Sequence, residues 1–224
     1  MKGLIGRKIG MTQYFEEDGN FVPVTVIEAG PCSIVQKKTV ESDGYTAVQL
    51  GFEDKKIRIK EVVKNGKKVK KQISPTLPEH GHFKKAGIEP KKYIKEFRTD
   101  DIEGLETAGT IDVSVFEVGD LVDIVGISKG RGYSGVMRRH NFGGNNASHG
   151  AKTHREPGSM GASAYPARVI KGKKLPGQYG NKRCTVKNVT VKKVDKENNL
   201  LVVCGAVPGP KNGIVYIKAT GVSV

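Results

Sequence analysis

The chain has 224 residues, 38 Lys and Arg against 23 Asp and Glu, five histidines and a net charge of +15. That length can bury a real core in one large or two small domains, and the charge makes a polyanion the leading partner, with nucleic acid ahead of an anionic membrane surface. Three cysteines without CxxC spacing, Cys32, Cys184 and Cys204, exclude a disulfide framework and fit a reducing compartment. The N-terminal Lys2-Gly3-Leu4-Ile5-Gly6-Arg7-Lys8 lacks the apolar run of a signal peptide, and no stretch reaches membrane-spanning length, so a cytoplasmic location and no membrane partner are expected.

The first 60 residues read as β. Tyr14-Phe15 and Phe21-Val22 flank Asp18-Gly19, a pair suited to the positive φ of a tight hairpin. Val22 to Ala29 is rich in β-branched residues and stops at Gly30-Pro31. Cys32 to Val40 resumes the pattern, Asp43-Gly44 turns, and Tyr45 to Phe52 alternates, with Tyr45, Ala47 and Gln49 against Thr46, Val48 and Leu50. Residues 1–74 are expected to form the first part of a β-barrel, carrying a lysine-rich hairpin at 55–73 that turns at Asn65-Gly66. That hairpin reads either as an RNA contact or as a solubilising surface.

Residues 75–100 read as a small α/β insert: a short helix over Leu77 to Gly87, entered near a proline and closed by a glycine, then an alternating strand from Lys91 to Arg98. The barrel is expected to continue over 101–128, with strands at Thr110 to Phe116 and Asp120 to Ile127. It closes over 184–224, with strands at Cys184 to Val194, Leu200 to Val207 and Ile214 to Ala219. The fold class is thus mainly β with a small α/β insert: a β-barrel carrying a long, mostly irregular basic extension.

That extension, residues 129–183, carries twelve bases against one acid, Glu156, and so supplies +11 of the total charge. Its larger apolar residues are few and scattered, too few to offset the entropy of ordering it, so a polyanion is expected to order it. The candidate RNA-binding residues are Lys129, Arg131, Tyr133, Arg138, Arg139, His140, His149, Lys152, His154, Arg155, Arg168, Lys171, Lys173, Lys174, Lys182 and Arg183. Guanidinium forks can bridge phosphates and stack on bases, while lysines neutralise charge. Gly130, Gly132, Gly135, Gly143 and Gly144 permit close backbone approach to phosphate. Tyr133, Phe142, Tyr165 and Tyr179 read equally as base-stacking groups or as internal anchors.

Gly130-Arg131-Gly132-Tyr133-Ser134-Gly135 also fits GxGxxG. A dinucleotide loop should open a long helix inside a βαβ unit, whereas Val136 to Gly144 is short and ends in two glycines. An RNA-modifying or nucleotide-dependent enzyme using this loop is the second reading. A zinc site drawn from His140, His149, His154 and Cys184 matches no compact ligand spacing, so no metal and no cofactor are expected. No nucleophile elbow, paired carboxylates or GK[ST] loop is present, and neither catalysis nor a small-molecule substrate is expected.

Phe116, Asp123, Gly126, Ser128, Gly130-Arg131-Gly132, Gly135 and Arg139 follow the spacing F-x6-D-x2-G-x-S-x-G-R-G-x2-G-x3-R. This resembles the signature of large-subunit ribosomal protein three. The opening Lys2 to Thr12, Pro157-Gly158-Ser159-Met160-Gly161, Pro176 to Asn181 and Gly205 to Gly209 resemble the bacterial form of that family, so the resemblance spans essentially the whole chain. It implies a six-stranded, translation-factor-like barrel with an extension running into 23S rRNA toward the peptidyl transferase centre. It also implies an early role in subunit assembly and contacts with neighbouring large-subunit proteins. Two features depart from it. Ala162 stands where some members carry a modified glutamine, and the run from Lys55 to Lys71 is longer than the family implies.

Overall fold

The computed structural model describes residues 2–64, 67–99, 102 and 104–220. Its strands and helices, in chain order, are β1 (Gly3–Phe15), β2 (Phe21–Ala29), β3 (Cys32–Lys38), α1 (Val40–Asp43), β4 (Ala47–Asp54), β5 (Arg58–Lys64), β6 (Lys67–Ser74), α2 (Leu77–Ala86), β7 (Lys91–Arg98), β8 (Thr110–Ile111), β9 (Leu121–Ile127), β10 (Tyr133–Ser134), α3 (Val136–His140), β11 (Gly177–Gln178), β12 (Arg183–Asp195), β13 (Leu200–Cys204) and β14 (Ile214–Ala219). Two compact units emerge, residues 1–127 with 184–224, and residues 128–183.

The first unit is built on a closed six-stranded barrel in the order β1-β14-β9-β12-β13-β2. Closure removes exposed strand edges, and inward-facing residues alternate with outward ones along each strand. In β9 the buried residues are Val122, Ile124 and Gly126, and in β13 Leu201 and Val203. With Leu4, Ile5, Ile27, Val191, Val215 and Ile217 they make the barrel core. The expected hairpin joins β1 to β2: Phe15 pairs with Phe21, Gly19 has a positive φ, and its N–H donates to the Glu16 carbonyl.

Strands β3 and β4, expected within the barrel, instead join β7 and β8 in a four-stranded sheet ordered β7-β4-β3-β8. The α/β portion is therefore larger than residues 75–100. The expected one-sided alternation of β4 is absent, because Ala47, Val48, Leu50, Gly51 and Phe52 are all buried. An interior strand covered on both faces loses the period-2 signal. Val48, Leu50 and Phe52 join the core shared with the barrel, while the Gln49 Oε1 accepts a 2.7 Å bond from Nε2 of His82 in α2.

Two further expectations shift. The run from Thr110 to Phe116 pairs only as β8 and then tightens into a 3-10 turn at Val113–Val115, because the Asp112 carboxylate accepts both the Ser114 N–H and the Ser114 hydroxyl. Such local side-chain bonding competes with a ladder. Strand β13 stops at Cys204 rather than Val207, with Gly205 at positive φ. The hairpin expected at 55–73 is seen as β5 paired with β6, and its Asn65-Gly66 turn lies outside the described residues. Among the described residues no helix is long and apolar enough to cross a membrane.

Candidate nucleic-acid interface

The second unit, residues 128–183, lies in sequence between β9 and β12, which are neighbours in the barrel. Its two ends are tied together by a short neck. The Ser128 N–H donates to the Lys182 carbonyl at 2.9 Å, and the Ser128 carbonyl accepts from Asn181 at 3.2 Å. Arg131 N–H donates to the Tyr179 carbonyl and Tyr179 N–H to the Gly132 carbonyl, both at 2.9 Å, before Tyr133 pairs with Gln178 and Ser134 with Gly177. Gly180 has φ +69, and a Cβ there would overlap the Lys129 carbonyl oxygen, so the neck requires glycine at this position.

The GxGxxG segment is thus one arm of this neck. It opens only the five-residue α3, not the long helix of a dinucleotide fold. Gly130 and Gly132 shape the arm, with Gly132 at φ +65, and Gly135 precedes α3 in extended conformation. At the far end of α3 the Arg139 Nη1 donates to the Leu175 carbonyl at 2.6 Å, and His140 Nε2 lies 3.1 Å from the same oxygen. Arg139 is half-buried against Gly177, and His140 is half-buried with its ring 6.2 Å from that of Phe142. These two predicted contact residues brace the neck.

Beyond the neck, order is local. The His154 carbonyl accepts the Asn145 N–H at 3.2 Å, and His154 Nδ1 lies 2.8 Å from the Asn146 carbonyl, closing a loop whose close approach is at Gly144, beside exposed Gly143. Lys129, Arg131, Tyr133, Arg138, His149, Lys152, His154, Arg155, Arg168, Lys171, Lys173, Lys174, Lys182 and Arg183 are all exposed. The unit buries only Ser134 and Val136 among its described residues. No cation of residues 129–183 has a carboxylate partner among the described residues. The partners are instead a carbonyl for Arg139 and an aromatic face for Arg131, whose guanidinium sits 5.2 Å from the Tyr179 ring centre. Tyr179 is thus an internal anchor, while Tyr133 and Tyr165 are 80% and 89% exposed. Unpaired cations beside exposed rings suit a surface that binds phosphates and stacks on bases.

Sequence reasoning named Ser128, Gly177 and Gly180 within segments that resemble the family but did not foresee that they meet across a neck, because two-residue ladders between segments so far apart carry no periodicity. It also did not single out Met160, Val169 and Ile170 as surface groups, although all three are exposed on this unit. Their placement among glycines and lysines was the available signal. Among the described residues no group of histidine, cysteine and carboxylate side chains is placed to hold a metal ion.

A family profile described as Ribosomal protein L3 matches residues 94–199. The chain is 50% identical over 218 residues to the large ribosomal subunit protein uL3 of Petrotoga mobilis, covering 97% of this chain and 95% of that protein. It is 53% identical over 219 residues to the uL3 of Thermosipho melanesiensis, covering 98% of each, and 52% identical to that of Thermotoga maritima over 98% of this chain and 97% of that one. The matched proteins are structural proteins of a ribosomal class rather than enzymes. At this identity over nearly the full length, the chain belongs to the uL3 family.

Proposed function

We propose that the chain is a structural constituent of the large ribosomal subunit, held there by direct binding of residues 128–183 to 23S rRNA. The observation that carries this is the set of twelve exposed or half-buried cations in that unit with no carboxylate partner among the described residues. Arginines at the neck and α3 set the register on phosphates, and the lysines of 171–174 neutralise charge between RNA strands. The barrel remains the folded platform, and RNA orders what lies beyond the neck. A role in early assembly, contacts with neighbouring large-subunit proteins, and an approach of the extension toward the peptidyl transferase centre complete the reading. A location in the cytoplasm follows from it.

The test is binding of the full-length protein to 23S rRNA across a salt series. If six to ten phosphates are engaged, affinity falls by roughly three to five orders of magnitude between 50 and 200 mM salt. Binding that is flat with salt, or protein that leaves large subunits in a mild wash, overturns the proposal.

A further inference from the structure

One stretch of the body runs against the charge of the chain. Residues 9–25 hold three acids and no base in a protein of net charge +15. They form the outer part of the β1–β2 hairpin. The ladder of β2 with β13 ends at Val24 and Cys204, and that of β1 with β14 ends at Arg7 and Ile214, so residues 11–15 and 21–23 pair with each other as a ribbon beyond the barrel. Pro23 keeps one tie to the body, its carbonyl accepting the Gly205 N–H at 2.8 Å.

The register sorts the ribbon by face. Phe15 pairs with Phe21, Gln13 with Pro23 and Met11 with Thr25, whereas Tyr14 pairs with Val22 and Thr12 with Val24. Directly opposed residues share a face and alternate pairs lie on opposite faces. On the second face Tyr14 and Val22 are half-buried and Val24 is fully buried, so it is the more covered of the two. On the first face Met11, Phe15 and Phe21 are 52%, 65% and 60% exposed, and Gln13 and Pro23 are exposed with them. The two phenylalanine rings stand 6.3 Å apart, a cross-strand pair that stiffens the ribbon and still leaves most of both rings in water. Met11, Thr12, Gln13, Phe21 and Pro23 line a shallow depression of about 380 Å³. A contiguous exposed apolar face rimmed by polar groups marks an interaction surface.

The rim selects the partner. The turn after Phe15 is closed by the Glu16 N–H on the Asn20 carbonyl at 2.9 Å and the Gly19 N–H on the Glu16 carbonyl at 3.0 Å. The Glu16 carboxylate accepts the Lys192 ammonium at 2.5 Å. Glu17 and Asp18 are exposed and meet no cation among the described residues. An RNA strand would find two free carboxylates here and no base of the ribbon to offset them, and like charge repels it. A second copy packed ribbon to ribbon would set the same carboxylates against each other. Arginine fits both features, since its guanidinium forks onto a carboxylate and its plane stacks on a ring.

We infer that this face of the β1–β2 ribbon docks an arginine-bearing segment of a neighbouring protein. Apolar side chains of that segment seat on Met11, Phe15 and Phe21, and its guanidinium groups on Glu17 and Asp18. The inference rests on the reading of the chain as a large-subunit constituent, which supplies the neighbour, and it assigns protein rather than RNA to this part of the body.

The experiment places a photoreactive benzophenone amino acid at Gln13 of the full-length protein in its own cells and irradiates the purified large subunits. The expected adduct survives ribonuclease, and the attached peptide carries arginine beside apolar residues. An adduct to rRNA, to a second copy of this chain or to a segment without arginine overturns the inference, as does the absence of any adduct. Two changes in the labelled protein then test the halves of the surface. Phe21→Ser, and separately Glu17→Gln/Asp18→Asn, are each expected to lower the adduct yield about fivefold or more. The second change leaves the rings and the ladder in place, so an undiminished yield there overturns the inference whatever Phe21→Ser does to the hairpin. The salt slope of 23S rRNA binding should not move in either variant, because no base is altered, and a moved slope would assign the face to RNA. If the unaltered protein does not sediment with large subunits, the proposed function falls and the inference with it. If it does and the adduct is to rRNA, the inference alone falls.

Discussion

The same side chains do opposite work in the two units. In residues 1–127 with 184–224, several cations are matched to acids: Lys91 to Asp54 at 2.6 Å, Lys192 to Glu16 at 2.5 Å, Lys38 to Glu96 at 3.1 Å, Lys2 to Asp120 at 3.2 Å. The Tyr45 hydroxyl and the Glu96 carboxylate together raise the pKa of the Lys38 ammonium above its usual range. In residues 128–183 cations meet carbonyls, a ring or solvent. Burial divides the same way, with a continuous barrel core in one unit and Val136 as the buried apolar residue of the other. A count of lysines and arginines therefore says little about binding. What separates a solvated face from an interface is whether acids stand within reach.

The largest effect comes from removing the tip. A Gly-Ser linker in place of residues 141–174 takes away Lys152, Arg155, Arg168, Lys171, Lys173 and Lys174 but keeps the neck, since Arg139 and Leu175 already meet there. Loss of about six phosphate contacts should cost roughly three orders of magnitude in rRNA affinity near 200 mM salt. The melting temperature of the body should hold, because its core loses nothing. A body that melts appreciably earlier would show that the tip supports the barrel.

The reciprocal change is Leu201→Ala. Leu201 is fully buried in the barrel, and truncation should destabilise the body by about 2–5 kcal/mol in chemical denaturation. The salt slope of RNA binding by the folded protein should not move. A changed slope would mean that the two units share one energetic unit.

This division explains what was legible in the sequence. Strand β14 was read at its observed bounds, Ile214 to Ala219, and α2 was read from its proline and from Gly87, which sits at φ +70 past the helix end. Both carry their signal in adjacent residues. Tertiary context hid the rest: β4 loses its alternation because both faces are covered, and the Asp112 side chain turns an apolar run away from the sheet. In the extension, charge and composition marked the candidate residues, but Arg139 and His140 proved to be bound to the Leu175 carbonyl. Composition shows which residues are basic, while their partners depend on which distant segment the neck brings alongside.

The neck itself is tested by Gly180→Ala, a smaller perturbation. A side chain at φ +69 facing the Lys129 carbonyl should open the Arg131–Tyr179 bonds without touching any cation. Hydrogen exchange at the Arg131, Tyr179 and Lys182 amides should accelerate at least tenfold. RNA affinity should fall only modestly, as the cations remain but are less well placed. Unchanged exchange would mean that the neck is held by something other than its ladder.

The smallest effect belongs to a single carboxylate in the body. The Lys55 ammonium first, and the Thr76 N–H second, lower the Glu79 pKa to about 2 from 4.5. A folded-state pKa below the unfolded value gives stability that is fully present above about pH 4.5 and lost as pH falls toward 2. Glu79→Gln should therefore lower the melting temperature slightly at pH 7, and its difference from the unaltered protein should shrink through that window and vanish below it. Because Glu79 is only half-buried, added salt should shrink the difference too. Exchange at the neck amides should be indifferent to the substitution at every pH. If those amides respond to Glu79, the ion-paired body and the unpaired extension are coupled, and the contrast between them is one of composition alone.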